Sequence, residues 1–377
     1  MSHYFDYAAT QPMRQVAIDA WVEAAGALNS GASYASGRRA RSVLDDARET
    51  VAELLGCEPI EVIFTASGTE ADNIAVQGFY RARRGEQGGQ RIISTPVEHS
   101  AVRQTVEHLR KAEGAQVELL PVGADGRVTD FSALDTPAAL ATCMWANNEI
   151  GVIEPIEEVI ARATAVGTPV HVDGVQVVGK IPVNFHAAGM STLAASAHKF
   201  GGPRGTGLLL AKRTPVPQPL TFGGGQERGL RPGTVDVASA SALAAALRES
   251  VAEMEAEEAQ VRRLRDKLQQ AIVSTIEDVQ VNSSEPGLAS HLHVSFPGTD
   301  GDSLIMLLDS AGIEASAGSA CHAGVNRMSH VLEAMGVSEE RGLGSLRFSL
   351  GRMTTEEDVD YVAQKLPELI QRARSVS

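Results

Sequence analysis

Short apolar runs recur along the chain, and the stretches between them follow a helical period. Val62-Ile63-Phe64, Arg91 to Ser94, Val117 to Leu120, Leu140 to Met144, Val170 to Val172, Thr192 to Ala195 and Gly207 to Leu210 each read as a strand. Thr69 to Arg83 and Ile156 to Val166 place apolar residues three and four apart and predict helices. Repeated alternation of this kind predicts an α/β domain built on a largely parallel sheet. From Val237 to Ile276 the chain is alanine-rich and then crowded with Glu, Arg and Lys, which predicts one long helix with a solvated charged face, suited to joining two domains. Beyond it, Leu288 to Phe296 and Gly344 to Leu350 predict strands, and Gly301 to Ser310 a helix. Thr354-Thr355-Glu356-Glu357 reads as a helix N-terminus with acids in its first turn. Together these segments predict a second, smaller α+β domain.

Composition narrows the setting. The 377 residues suffice for one large and one smaller core, and 43% hydrophobic with 21% charged residues fits a globular protein. A net charge of −14 argues against a general nucleic-acid or anionic-membrane surface. No apolar run reaches membrane-spanning length, and the opening residues lack the basic and apolar regions of a signal peptide. Cys57, Cys143 and Cys321 are too widely spaced for a disulfide framework or a zinc site, so no metal is expected and a reducing cytoplasm is the expected location. Cys143 sits in an apolar run and is expected to be a core thiol.

The candidate chemistry lies where strands end. Ser196-Ala197-His198-Lys199 follows an apolar run and precedes the loop Phe200-Gly201-Gly202-Pro203-Arg204-Gly205. A partly desolvated lysine there has a depressed pKa and can join a cofactor aldehyde as a Schiff base; alone, the tetrapeptide also fits a surface lysine in a turn. Val170-His171-Val172-Asp173 ends another run in a carboxylate. Pyridoxal 5'-phosphate needs an acid beside its ring nitrogen, because the protonated ring is the electron sink. The acid and the lysine, each closing an apolar run, point to that cofactor. Ser67-Gly68-Thr69-Glu70 joins a strand to a helix, where free amides bind phosphate; the bland alternative is a capping turn with Thr69 as cap. His99 could stack on a planar ring or cap the next helix, and Asn147-Asn148 could bond a phenolic oxygen or form an Asx turn. Cys321 lies among small residues, Ser316 to Gly324, a setting that suits a reactive thiol better than a structural one.

Taken in order, Ser67-Gly68-Thr69-Glu70, Glu98-His99, Asn147 to Gly151, His171 to Gln176, Ser196 to Lys199, Gly223 to Thr234, Ala317 to Cys321, Ser329 to Leu332 and Leu346 to Arg352 closely resemble the cysteine desulfurases. These are pyridoxal-phosphate enzymes of the class V aminotransferase family, fold type I. The resemblance implies a mostly parallel seven-stranded sheet flanked by helices, with residues 15–250 as the cofactor-binding domain. Residues 1–14 and 251–377 would form the small domain carrying the cysteine loop and the carboxylate-binding arginine.

The same resemblance implies roles. Lys199 would bond the cofactor and shuttle the Cα proton, Asp173 would pair with the ring nitrogen, and His99 would stack on the ring. Asn148 and Gln176 would reach the phenolic oxygen. Gly68, Thr69, Ser196 and His198 would hold the phosphate, with Thr234 reaching across the interface of a homodimer. Arg347, with Asn148, would bind the substrate, and Cys321 would be the nucleophile, with His322 beside it. The implied reaction turns L-cysteine into L-alanine, leaves a persulfide on Cys321 and passes the sulfur to an acceptor protein, as in iron–sulfur cluster assembly or thiolation. A selenocysteine lyase, another class V activity, or a sulfur-transfer subunit active only with its acceptor remain the alternatives. The Cys321–His330 spacing is similar to that of the group I desulfurases, but Tyr34, His322, Ala323, Arg327 and Met328 depart from their usual residues.

Overall fold

The computed structural model describes residues 2–317 and 327–375. The first strand, β1 (His3–Tyr4), is followed by helices α1 (Gln15–Ala24) and α2 (Ala35–Leu55). Then come β2 (Val62–Thr65), α3 (Gly68–Arg83), β3 (Arg91–Ser94), α4 (Ser100–Glu113), β4 (Gln116–Leu119) and β5 (Leu140–Thr142). The alternation continues with α5 (Ile156–Ala165), β6 (Val170–Asp173), the short α6 (Phe185–Ala188), β7 (Thr192–Ser196) and β8 (Gly207–Ala211). These seven strands from β2 to β8 form one sheet in the order β2-β8-β7-β6-β5-β3-β4. Five of them, β4-β3-β5-β6-β7, are parallel, while β8 runs antiparallel to both β7 and β2. β5 to β8 are buried along their whole length, because helices cover both faces of the sheet. Strand order reverses beside β3, between β4 and β5, so a crevice opens at the carboxyl ends of the strands around that point.

Two apolar cores flank the long helix α7 (Val237–Thr275). Its 39 residues span roughly 58 Å. Val237, Leu243 and Leu247 belong to the core around the seven-stranded sheet, whereas Val261, Leu264, Leu268 and Ile272 belong to the second core. The second core backs a four-stranded sheet of β9 (Gln280–Val281), β10 (His291–Ser295), β12 (Ser316–Ala317) and β13 (Ser345–Ser349), in the order β12-β13-β10-β9. β11 (Ile313–Glu314) pairs with β1, and α8 (Gly301–Ser310) and α11 (Glu356–Arg374) pack on the same core. The two remaining short helices, α9 (His330–Ala334) and α10 (Glu339–Leu343), lead into β13.

Three local expectations are corrected. The predicted strand Leu288–Phe296 is a strand only over His291–Ser295, since Leu288 donates its N–H to the distant Gly151 carbonyl and the chain turns at Ala289–Ser290 before the strand begins. The run from Leu140 to Met144 is a regular strand only over Leu140–Thr142: Cys143 and Trp145 still donate to the His171 and Asp173 carbonyls of β6, but Met144 gives its N–H to the buried Glu98 carboxylate, 3.0 Å. Ser67, not Thr69, caps α3: its Oγ accepts the Glu70 N–H at 3.0 Å, leaving the Thr69 side chain on the cavity wall.

The N-terminal segment links the two cores. Ser349 of β13 donates its N–H to the Phe5 carbonyl, 2.7 Å, and its Oγ accepts the Ala8 N–H, 2.9 Å. A few residues on, Gln11 and Arg14 donate their N–H groups to the carbonyls of His198 and Gly201, 2.9 and 2.8 Å. The Arg14 side chain, 2% exposed, donates from Nη1 to Glu249 and Glu253, from Nη2 to Glu257, and from Nε to the Phe200 carbonyl. One guanidinium thereby joins the N-terminal segment, the loop after Lys199 and helix α7. Arg14→Met should lower the unfolding free energy by about 3 kcal/mol, because it leaves three carboxylates crowded around a lost cation. Arg14→Lys should recover only part of the loss, since an ammonium lacks the guanidinium fork. Denaturant midpoints of the three proteins measure both.

Candidate active site

A cavity of about 420 Å³ opens at the carboxyl ends of the parallel strands. It collects the ends of β6 and β7, the N-termini of α3 and α4, the turn after β5, the N-terminal segment and Arg347 of β13. Gly68, Thr69, His99, Asn148, Asp173, Gln176, Ser196, His198, Lys199 and Arg347 all line it, so ten residues singled out in the sequence meet in one place.

Lys199 follows β7 on a single turn, Ala197–Lys199. Its Nζ donates to the carbonyls of Ala8 and Ala9, 2.5 and 2.9 Å. Burial, with the Arg347 charge adding to it, lowers the amine to about 8, against the opposing pull of Asp173 and Asp6. Asp173 ends β6 at 4% exposure, and its Oδ1 accepts the Val175 N–H, 2.9 Å. Burial pushes this carboxyl up, while His99 and Lys199 pull it back down. His99 caps α4 by accepting the Ala101 N–H on Nδ1, 3.2 Å. That bond leaves the ring proton on Nε2, and burial keeps the imidazole neutral by lowering its pKa. The capping and cavity-facing roles are therefore held by one side chain.

The paired amides divide their work. Asn147 is fully buried, accepts the Glu149 and Ile150 N–H groups on Oδ1 and donates to the Val97 carbonyl, so it makes the turn. Asn148 is thereby left facing the cavity, and its carbonyl accepts from Arg347 Nη1 at 2.7 Å. Gln176 donates to the Ala8 carbonyl, 3.1 Å, and accepts from Lys180 Nζ, 3.2 Å. His198 is lowered to about 4, by burial first and the Lys199 charge second, and its Nδ1 lies 3.2 Å from Thr10 Oγ1. Thr234 is exposed and does not line the cavity of its own chain. Cys321 and His322 lie outside the described residues; Ser316, before that stretch, is the register partner of Arg347. Ser329 Oγ donates to Glu149, and His330 Nε2 reaches the Glu98 carbonyl at 3.0 Å.

Some cavity residues escaped the sequence. Ala8 and Ala9 act through backbone carbonyls, which no side-chain pattern reveals. Asp72 lies on α3, one turn beyond Gly68, and was readable only as a helix residue. Its Oδ1 bonds His171 Nε2 at 3.0 Å and its buried Oδ2 has no partner among the described residues. Burial pushes its carboxyl well above the usual range, with Asp173 adding to the effect.

This wall fits pyridoxal phosphate. It offers an amine with a lowered pKa, a buried acid, a helix N-terminus and hydroxyl and imidazole groups. Gly68 keeps that helix start open, since a Cβ there would come within 2.6 Å of Val175 Cγ2.

Comparison with known proteins agrees with this geometry. Residues 3–362 match the Aminotransferase class-V family. The chain is 46% identical over 380 residues to an IscS-like cysteine desulfurase of Mycobacterium tuberculosis, covering 98% of this chain and 97% of that protein. It is 37% identical to a cysteine desulfurase IscS of Dictyoglomus turgidum, covering 99% and 96%. A solved NifS-like protein superposes with a TM-score of 0.90 at 33% identity over 99% of this chain and all of that one. SspA solved in complex with cysteine gives 0.80 at 29% identity, covering 93% and 99%.

Thiol chemistry gives a check on the site. Burial pushes Cys57 up to about 12 and Cys143 well above its ordinary value, so neither is a ready nucleophile. Titration of the native protein with a chromogenic disulfide should find one fast thiol per chain, and Cys321→Ser should abolish it.

Proposed function

The chain belongs to the aminotransferase class-V family and acts as a cysteine desulfurase, and we propose that it does so with pyridoxal 5'-phosphate held in the cavity described above. The observation that carries this reading is that Lys199 and Asp173, at the carboxyl ends of the neighbouring strands β7 and β6, line one cavity together. When bound, the cofactor supplies an electron sink for negative charge at the substrate's Cα.

The protein's own groups supply the rest. Asp173 would hold the ring nitrogen, His99 would stack on the ring, and Gln176 and Asn148 would bond its phenolic oxygen, all four lining the cavity. The α3 amides at Gly68 and Thr69, with Ser196 and His198, hold the phosphate. Thr234, exposed in its own chain, serves the site of a second copy in a homodimer. Arg347 takes the carboxylate of L-cysteine through its paired N–H donors. Lys199 Nζ, neutral above about pH 8, removes the Cα proton and later returns one. The Cys321 thiolate attacks the substrate sulfur. An S–S bond forms, the Cβ–S bond breaks, its electron pair goes to the substrate carbon skeleton and protonation at Cβ completes L-alanine. Cys321 keeps the sulfur as a persulfide for transfer to an acceptor protein.

Residues 15–250 provide the cofactor wall, while residues 1–14 and 251–377 provide Arg347 and Cys321. Among the described residues no helix is long and apolar enough to cross a membrane, and Cys57 and Cys143 are free thiols, in keeping with the cytoplasmic location we propose.

Two measurements test the reading. Wild-type protein loaded with pyridoxal phosphate and given L-cysteine should release L-alanine and gain one sulfur on the peptide containing Cys321. Lys199→Ala and Cys321→Ser should each lower alanine release by about 10³-fold or more. Sulfur found on Cys57 or Cys143, or normal turnover by Cys321→Ser, would overturn the assignment. The second measurement follows pH. A lysine lowered to about 8 must lose its proton before it bonds an aldehyde. Covalent uptake of pyridoxal phosphate by the cofactor-free protein should therefore rise about tenfold per pH unit below 8 and level off above it.

A further inference from the structure

We propose that Asp6, in the N-terminal segment, is a positioning residue that sets the guanidinium of Arg347 for the substrate carboxylate. This inference rests on the desulfurase reading and adds a residue to it. Arg347 stands on β13, 8% exposed, at the edge of the cavity. Its Nη2 donates to Asp6 Oδ1 at 2.5 Å, and its Nη1 to the Asn148 carbonyl at 2.7 Å. These contacts approach from different elements, the N-terminal segment and the turn after β5, and fix the orientation of the fork. Each Nη keeps a second hydrogen, so the fork can still take a carboxylate through two parallel bonds. Among the described residues Nε is buried without a partner, which leaves these two contacts as the polar restraints they place on the group.

Asp6 is itself held in place. It forms a bridge to Ser349, two residues beyond Arg347 on β13, and its carbonyl accepts from the Tyr4 hydroxyl at 3.0 Å and the Ala9 N–H at 3.0 Å. Two residues further on, the Ala8 carbonyl receives both Lys199 and Gln176. One short stretch of backbone therefore sets the spacing between the carboxylate-binding and proton-transferring groups. Its position in sequence, nearly 350 residues from Arg347, hides the pairing from any local motif.

A contact that orients the fork acts on binding of the carboxylate, and loss of the Asp6 charge removes one of the pulls that hold the Lys199 proton, so the neutral amine stays available. In steady-state alanine production by the cofactor-loaded protein, Asp6→Ala should raise KM for L-cysteine about tenfold with kcat nearly unchanged. Asp6→Asn keeps an acceptor oxygen and should hold the rise to about threefold or less. Pyridoxal-phosphate content and thermal midpoint, read on the same samples, should match wild type for Asp6→Asn. An unchanged or lowered KM in Asp6→Ala would overturn the proposal, the lowered value meaning that Asp6 masks Arg347. Loss of kcat in step with cofactor content, without rescue by Asn, would overturn it in favour of a purely structural role. Failure of the desulfurase reading is distinct: the wild-type protein itself would then release no alanine.

Discussion

The site depends on the backbone of residues 6–11 being pinned between the two sheets. The Ala8 carbonyl accepts from Lys199 Nζ and from Gln176 Nε2, the Ala9 carbonyl from Lys199, and Gln11 donates back to His198. Carbonyls buried in this way need donors, and the buried donors need acceptors, so each fixes the other. Ser349 and the Arg14 guanidinium anchor the two ends of this segment. Without it, the amine at the end of β7 and the guanidinium on β13, which stand on different sheets, would lose the stretch of chain that bonds to both.

Burial then sets the protonation states. Desolvation disfavours charge, and it acts on four groups of the cavity wall: Lys199 and His99 are lowered, and Asp173 and Asp72 are raised. The neighbours decide what survives. Asp173 has His99 and Lys199 to pull it back toward the anion, whereas Asp72 faces the Asp173 charge and a His171 that burial itself lowers to about 3. Two carboxyls in one cavity are thus pushed apart, and the one at the strand end is the more readily held as the anion.

The long helix gives these local effects a frame. Its first half is buried in the large core and its second half in the small one, so the wall carrying Arg347 and the wall carrying Lys199 are attached to a single rod. Arg14 adds a cross-tie from that rod to the loop after Lys199.

Much of this was legible in the sequence. A strand buried on both faces writes itself as a short apolar run, and residues that close such runs, Asp173, Ser196 and Lys199, lie at the carboxyl edge of a parallel sheet by topology alone. Helix starts were equally readable in kind, though Ser67 rather than Thr69 makes the cap because only its Oγ meets the Glu70 N–H. The sequence by itself determined the fold class, the family and which residue types stand at the strand ends. Tertiary structure alone decided the pairings: Asp6 with Arg347, Arg14 with three glutamates of α7, Lys180 with Gln176, and the Ala8 and Ala9 carbonyls with Lys199. The reason is physical. Apolar periodicity and strand ends are local properties of the chain, whereas a hydrogen bond between residues 6 and 347, or one to a backbone carbonyl, leaves no periodic trace and exists only once two separate cores have packed against the same segment.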